Sequence, residues 1–562
     1  MEVNEVVENV PIQGNPELYL KMNLRMKWNE VTQTQDSYRP VPVWSGEVPF
    51  VSKVHSPIEY YRRFIDEEIL QHICNESNRF ALQADINNTL CLSPDELEKF
   101  IGVSFYMSLV KLPRTRYYWS SDLEIPAVTN YMSMRRWETI KTYLHFANND
   151  NMPDKGTPGY DRIYKIRPFL DLLNSRFNDI PMSEQLSVDE QMIPYSGTRG
   201  PRYYVKGKPN PWGFKAWVLA DSMGIVYNYD LCIGTTPRQV GHPNIGSIGN
   251  TVLKLASLIP DNQNFKLTMD NYFSTLPLFY ELLNRGIHCM GTVRLDRVSG
   301  IKDIIASDAE IKSLGRSAFI EYEGKLGVKG KKDIRVLRWH DNNFVNLMST
   351  YSSAYPTDTV THWDRNKETN AAKVTVTCPS TVKVYNCNMG GIDTMDSLLG
   401  FYRIFFRSKK WYHRLFFHFV DMALINAWLL YRRDFNSYSE SSGKPMRLYE
   451  FKANVSLVLR KQCKPIKRPV GCPSNSASNT NLSVPSDRMQ HNTKIPQKDV
   501  IDDPEGHFVV ALDKRGMCAV KGCYSRPIFY CIKCQVYLCL SAKKNCFAKF
   551  HGFDLESANI PH

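Results

Sequence analysis

The sequence predicts a multidomain α/β protein, and three observations carry that prediction. A chain of 562 residues, 43% of them hydrophobic, is long enough for several packed domains. Its hydrophobic period shortens from helical to strand-like near Leu186, after which strands alternate with helices. Six of its 14 cysteines crowd between residues 518 and 546, setting a small unit apart near the C-terminal end.

In chain order, residues 1–55 are polar with scattered prolines and are expected to form a mobile arm. The opening MEVNEVVENVPIQG is acidic and carries no apolar stretch of the kind a secretory signal needs. SPIEYYRRFIDEEILQHICNESNRFAL and LSPDELEKFIGVSFYMSLV each begin with Ser-Pro and continue at helical spacing, so residues 56–183 are expected to be mostly helical. LSVDEQMIPYSG, KAWVLADSMGIVYNYDLCIG and NFKLTMDNYF read as strands, with a hairpin turn at Asp221–Gly224. Helices over 249–258 and 274–285 and a strand at HCMGTVRL complete a mixed sheet over 184–295. Residues 296–378 are strand-rich, with a hairpin around Asp341–Asn343, and look inserted; 379–402 resume the interrupted pattern. Helices follow through the basic segment 403–465, then a Ser, Asn and Pro-rich linker over 466–505, then the cysteine-rich unit 506–562.

Charge is unevenly spread. Of the formal +13, residues 403–470 supply fifteen Lys or Arg against four Asp or Glu, or +11. Threaded with Tyr402, Trp411, Tyr412 and Trp428, that segment suits a polyanion with stackable surfaces, namely nucleic acid, although a solvated basic face is the plainer reading. The expected contacts are Arg407, Lys409, Lys410, Trp411 and Arg414, then Lys206, Lys208 and Lys215. Lys461, Lys464, Lys467 and Arg468 read as a nuclear import signal or as further contacts. The longest apolar run, Leu415–Tyr431, is broken by His418, Asp421 and Asn426, which predicts a buried helix in a soluble intracellular protein rather than a membrane span.

Two aspartates three positions apart, Asp393 and Asp396, follow a glycine pair in MGGIDTMDSLL. Alone, Asp393 reads as a helix cap. On a helix, however, the two share a face and point at one cation. Asp189 lies inside a strand-like run, where an unpaired charge is costly, and Asp270 ends a strand, where ligands gather in α/β sheets. An edge-strand position for the first and a turn role for the second are the plainer readings. Taken together, a strand Asp, a strand-end Asp and a helix-borne Asp are what a two-metal phosphoryl-transfer site requires.

SVDEQM at 187–192, MDNYFSTLPL at 269–278 and GGIDTMDSLLGFYR at 390–403, in that order, resemble piggyBac-type transposases of the DDE/DDD superfamily. The resemblance runs from about residue 56 to the C-terminus. It implies an RNase H-like catalytic core with Asp189, Asp270 and Asp393 as the triad and Asp396 as a further acidic position. It also implies two Mg2+ or Mn2+ ions, a core split by a β-rich insertion, and a helical dimerisation and DNA-binding domain built from segments on both sides. Hairpin ends, TTAA targets, a homodimer on double-stranded DNA and a nuclear location follow from the same resemblance. The alternatives are a host-adopted DNA-binding or chromatin protein without transposition, and a stand-alone structure-specific nuclease.

The C-terminal unit reads Cys518-x4-Cys523-x7-Cys531-x2-Cys534-x4-Cys539-x6-Cys546-x4-His551, with His507 eleven residues ahead. Eight soft ligands suffice for two tetrahedral zinc sites. The pattern resembles the cross-brace zinc domain at piggyBac C-termini, although its first cysteine pair is spaced by four residues where two are expected.

Overall fold

The computed structural model describes residues 26–31, 40–87, 89–123, 125–208, 210–326, 332–363, 373–461, 507–541 and 544–552. The chain divides into two compact units, Met1–Arg468 and Pro469–His562. The expected linker and Lys464, Lys467 and Arg468 lie outside the described residues.

In the first unit β1 (Trp28–Glu30) precedes six helices, α1 (Pro57–Arg62), α2 (Glu67–Ala84), α3 (Pro94–Leu109), α4 (Pro126–Thr129), α5 (Met134–Tyr143) and α6 (Arg167–Asn178). Their starts follow local chemistry. Glu59 reaches back to the Ser56 N–H at 2.8 Å, and Ser93 Oγ accepts the Glu96 N–H at 3.3 Å, each serine standing before a proline at the first helical position. The helical run expected from Ser56 onward breaks after Arg62, because Asp66 caps a new helix by accepting the Ile69 N–H at 3.0 Å.

The sheet contains β2 (Gln185–Pro194), β3 (Tyr203–Tyr204), β4 (Trp212–Asp221), β5 (Val226–Leu231), β6 (Lys266–Met269), β7 (His288–Thr292), β8 (Phe319–Leu326), β9 (Lys332–His340) and β10 (Phe344–Ser349). With β1 these make ten strands in the order β1-β8-β9-β10-β7-β6-β2-β4-β3, and β5 also pairs with β4. Helices α7 (Gly246–Ala256) and α8 (Leu276–Asn284) lead into β6 and β7. The crossover through α8 makes β6 and β7 parallel, and β2 is parallel to β6. All four residues of β6 are buried, as expected of a strand covered on both faces.

The strand-rich stretch 296–378 does not stand apart from the sheet: β10 pairs antiparallel with β7, so β8, β9 and β10 extend the sheet that the preceding strands began. Only the ribbon of β11 (Asp358–Trp363) and β12 (Lys373–Cys378) stands off it. Nor is all of 1–55 a free arm. Trp28–Glu30 pairs with Tyr322–Gly324 on the sheet edge, and Trp44 packs edge-on against Phe265 at 5.6 Å.

After the short α9 (Asp308–Ser313) and this ribbon come α10 (Ser380–Asn388), α11 (Gly391–Phe401), α12 (Trp411–Ser437) and α13 (Leu448–Lys461). Every residue from Leu415 to Tyr431 of α12 is buried. Its three polar interruptions each tie it to another element: His418 to Gln191 of β2, Asp421 to the Ile404 N–H and Lys452, and Asn426 to both backbone groups of Val226. No helix among the described residues is long and apolar enough to cross a membrane.

The second unit contains β13 (Val509–Ala511), β14 (Phe529–Cys531), β15 (Val536–Tyr537), β16 (Leu540–Ser541), β17 (Lys544–Asn545) and α14 (Cys546–Phe550). Six cysteines with Ala519, Val536 and Leu538 form its buried cluster, too little apolar surface to fold so short a unit unaided.

Candidate active site and metal centres

Val188 of β2 lies opposite Met269 of β6 in parallel register. The next residue in each is an aspartate, so Asp189 and Asp270 emerge side by side at the same end of the pair. Asp189 Oδ1 accepts the Glu190 N–H at 2.7 Å. Asp270 starts the turn toward α8, with Oδ1 accepting the Tyr272 N–H at 2.8 Å.

Helix α11 packs on β2 and β4, and Gly391 permits it: a Cβ there would stand 2.0 Å from the Asp221 carbonyl oxygen. Of the glycine pair, Gly391 serves this close approach while a Cβ at Gly390 would meet open space, and neither residue takes the left-handed conformation. Asp393 is exposed in the first turn of α11. Asp396, on the same face, accepts Gln191 Nε2–H at 2.8 Å, while Gln191 Oε1 accepts from His418 Nε2 at 3.0 Å.

Burial pushes the Asp189 carboxyl up to about 7; the Glu190 N–H and Lys208 oppose the rise, and Asp270 and Asp393 add to it. Burial likewise raises Asp270, with Glu190 adding to it. Asp396 rises to about 6, again chiefly through burial, against the Gln191 bond and Arg403. The aspartates therefore feel one another in a setting partly withdrawn from water. Asp189, Glu190, Asp270, Asp393 and Asp396 outnumber their neighbouring cations Lys208, Lys215 and Arg403. An all-oxygen, electron-rich set of this kind fits hard divalent cations. Among the described residues, the ligand groups gathered within 4.8 Å of one another are the two C-terminal tetrads and not these aspartates. A two-ion site, with metals about 3.5–4 Å apart, needs the wider spread.

The tetrads are His507, Cys531, Cys534 and His551, and Cys518, Cys523, Cys539 and Cys546. The two sets interleave along the chain. Cys523 Sγ stands 3.7 Å from Cys539 Sγ and 3.8 Å from Cys546 Sγ, while His507 Nδ1 stands 3.5 Å from both Cys531 Sγ and Cys534 Sγ. Zinc–sulfur bonds of about 2.3 Å place tetrahedral sulfurs about 3.8 Å apart, so these edges are compatible with zinc. His507, eleven residues ahead of the first cysteine, joins the first set.

The basic residues divide. Arg407, Lys409 and Lys206 are exposed. Lys410 is half-buried over the Phe80 ring at 4.5 Å and donates to the Thr142 carbonyl; burial, then Lys165, lowers it to about 8. Trp411 packs against Phe214 at 5.9 Å, and Arg414 Nε donates to the Pro194 carbonyl at 2.8 Å. Those three therefore do structural work that composition cannot reveal. Lys208 and Lys215 both pair with Glu190, the former at 3.6 Å. Glu190 and Gln191 escaped the sequence reading, although period-two alternation places Gln191 on the Asp189 face of β2.

Residues 56–428 match the family model described as Transposase IS4. Human PiggyBac transposable element-derived protein 3 is 29% identical over 497 residues, covering 87% of this chain and 76% of the relative. Human PiggyBac transposable element-derived protein 2 is 28% identical over 494 residues, covering 86% and 75%. The fold is similar to that in a cryo-EM structure of the piggyBac transposase synaptic complex with hairpin DNA, with TM-score 0.59 and 19% identity over 74% of this chain and 84% of that one. The chain belongs to the Transposase IS4 family and, within it, to the piggyBac-type transposases.

Proposed function

We propose that this chain is a cut-and-paste DNA transposase whose RNase H-like core comprises β5, β4, β2, β6 and β7 with α7, α8 and α11. The observation that carries the reading is the convergence of Asp189, Asp270 and Asp393, through their shared electrostatics, at one end of the parallel strands. In this reading these three aspartates hold two Mg2+ or Mn2+ ions, and Asp396 completes the acidic set. Bound divalent ions supply Lewis-acid stabilisation of the charge that develops on the phosphate. The chain's own residues fix the geometry: the Glu190 N–H holds Asp189, the Tyr272 N–H holds Asp270, and Gln191 holds Asp396. Exposed Arg407, Lys409 and Lys206 are available to phosphates without reading bases.

The reaction starts with hydrolysis of one strand. The freed 3′ hydroxyl then attacks the opposite strand, closing a hairpin on the excised end and releasing the flanking DNA; hydrolysis of that hairpin restores a 3′ hydroxyl, which finally attacks a TTAA target. A nuclear homodimer on double-stranded DNA, with two zinc ions per chain, completes the proposal. Its test is precise excision from a donor plasmid carrying the gene's genomic flanks, comparing the natural protein with Asp270→Asn. Excision abolished in the variant while DNA binding persists is the expected result. Loss of both together removes Asp270 from the triad. The names of the human relatives, transposable element-derived proteins, favour a second reading, a DNA-binding protein retained without transposition. Tight, zinc-dependent DNA binding with no excision by the natural protein would establish that one.

A further inference from the structure

The connection between α11 and α12 carries an aromatic side chain that the fold leaves in water. Phe405 is 71% exposed, yet both its neighbours are anchored. Ile404 is buried, with its N–H donating to Asp421 Oδ2 at 2.7 Å; Phe406 packs on Trp137 at 4.9 Å and on Phe417 at 5.2 Å. The Phe405 ring is therefore presented on fixed backbone rather than on a loose loop. A ring held ready on fixed backbone gives up little conformational freedom when a partner covers it.

Charge identifies the partner. Residues 403–410, RIFFRSKK, contain four cations and no acid, and Arg407 and Lys409 are exposed. The Arg414 guanidinium stands 5.4 Å from the Phe405 ring and also donates to the Pro194 carbonyl, at the end of β2. Asp189 lies five residues back along that strand, about 17 Å at about 3.3 Å per residue, or about five base steps of a duplex. An exposed ring set among cations at that distance fits a nucleobase, and apolar wedges flanked by Arg and Lys unstack base steps in this manner.

We propose that Phe405 is a wedge that enters the DNA stack a few base pairs from the aspartates. The inference rests on DNA being the ligand, as in the proposed function, but not on cleavage. The test uses the full chain and duplexes from the gene's flanks carrying 2-aminopurine at successive positions. The natural protein should brighten the probe at one or two adjacent positions. Phe405→Ser should abolish that signal and weaken binding about tenfold, with the salt dependence unchanged because the ring neutralises no phosphate. Phe405→Trp should keep both properties, and Arg407→Ala should flatten the salt dependence while leaving the emission profile. The position is exposed, so the thermal midpoint of Phe405→Ser should equal that of the natural protein. An emission profile unchanged by Phe405→Ser overturns the wedge, as does a change in sedimentation of the DNA-free protein, which would make the ring a protein contact. Phe405-dependent emission from a protein that cleaves nothing sustains the wedge while the nuclease reading falls; absence of DNA binding defeats both.

Discussion

Gln191 uses both ends of its amide, one toward Asp396 and the other toward His418. The Asp396 carboxylate only accepts, so the amide N–H must face it and the amide oxygen takes the His418 Nε2–H, while the second Asp396 oxygen is left for other work. Gln191→Glu retains an acceptor for His418 but sets two carboxylates against each other. Cleavage should fall about ten- to a hundredfold, the worth of a hydrogen bond to a charged group, with DNA affinity in calcium unchanged. Unchanged cleavage would reduce the bond to packing. Two other histidines report on pH. Burial holds His145 down at about 4 and His413 at about 3, against 6.5 for a free side chain. Both folded values lie below the unfolded one, so their stabilising effect is complete above pH 6.5 and is lost as pH falls toward 4 and then 3. His413→Asn should move the acid-unfolding midpoint of the first unit downward by roughly half a pH unit or more, read by circular dichroism. A midpoint that stays put or rises would show that His413 does not limit acid stability. At this scale the sequence revealed which residues were charged but not which way they faced. Lys410, Trp411 and Arg414 lie in the same short basic run as Arg407 and Lys409, and only packing against Phe80, Phe214 and Pro194 distinguishes them.

Among elements, the join between α11 and α12 is held by one buried ion pair. Lys452 Nζ donates to Asp421 Oδ1 at 2.8 Å and to the Tyr402 carbonyl at 2.7 Å, while Asp421 also takes the Ile404 N–H. Lys452→Met strands a buried carboxylate and should cost about 3–5 kcal/mol of stability, measured by denaturant titration. A cost below about 1 kcal/mol would mean that water reaches Asp421 and replaces the lysine. Hairpins were the most legible elements. Asp221–Gly224 and Asp341–Asn343 carry turn chemistry, and both turns join antiparallel neighbours in the sheet. The pairing of β10 with β7 was invisible, because an antiparallel contact between distant segments leaves no local periodicity. A three-residue strand such as Trp28–Glu30 is likewise too short to show a period.

For the whole molecule, two hydrophobic clusters matter: the main one draws only on the first unit, and the cysteine cluster has its own few apolar residues. Metal should therefore supply most of the folding free energy of residues 507–552. A strong zinc chelator should erase hydrogen-exchange protection there while β2 and β6 keep theirs; protection that survives complete metal removal would contradict this. The proposed catalytic aspartates could be named from three short motifs because each carboxylate sits where a strand interior, a strand end or a helix start makes a charge conspicuous. The partition of eight ligands into two tetrads was not, since spacing alone allows several pairings. The site's assembly has a temporal consequence. Asp189 and Asp270 leave the ribosome well before α11, and the sheet between them and α11 must be laid down first. A chain whose synthesis stops before residue 391 carries two of the proposed catalytic aspartates without the third. On the proposed function such a product cannot cut DNA, because the acidic set is completed only by one of the last helices of the first unit to be made.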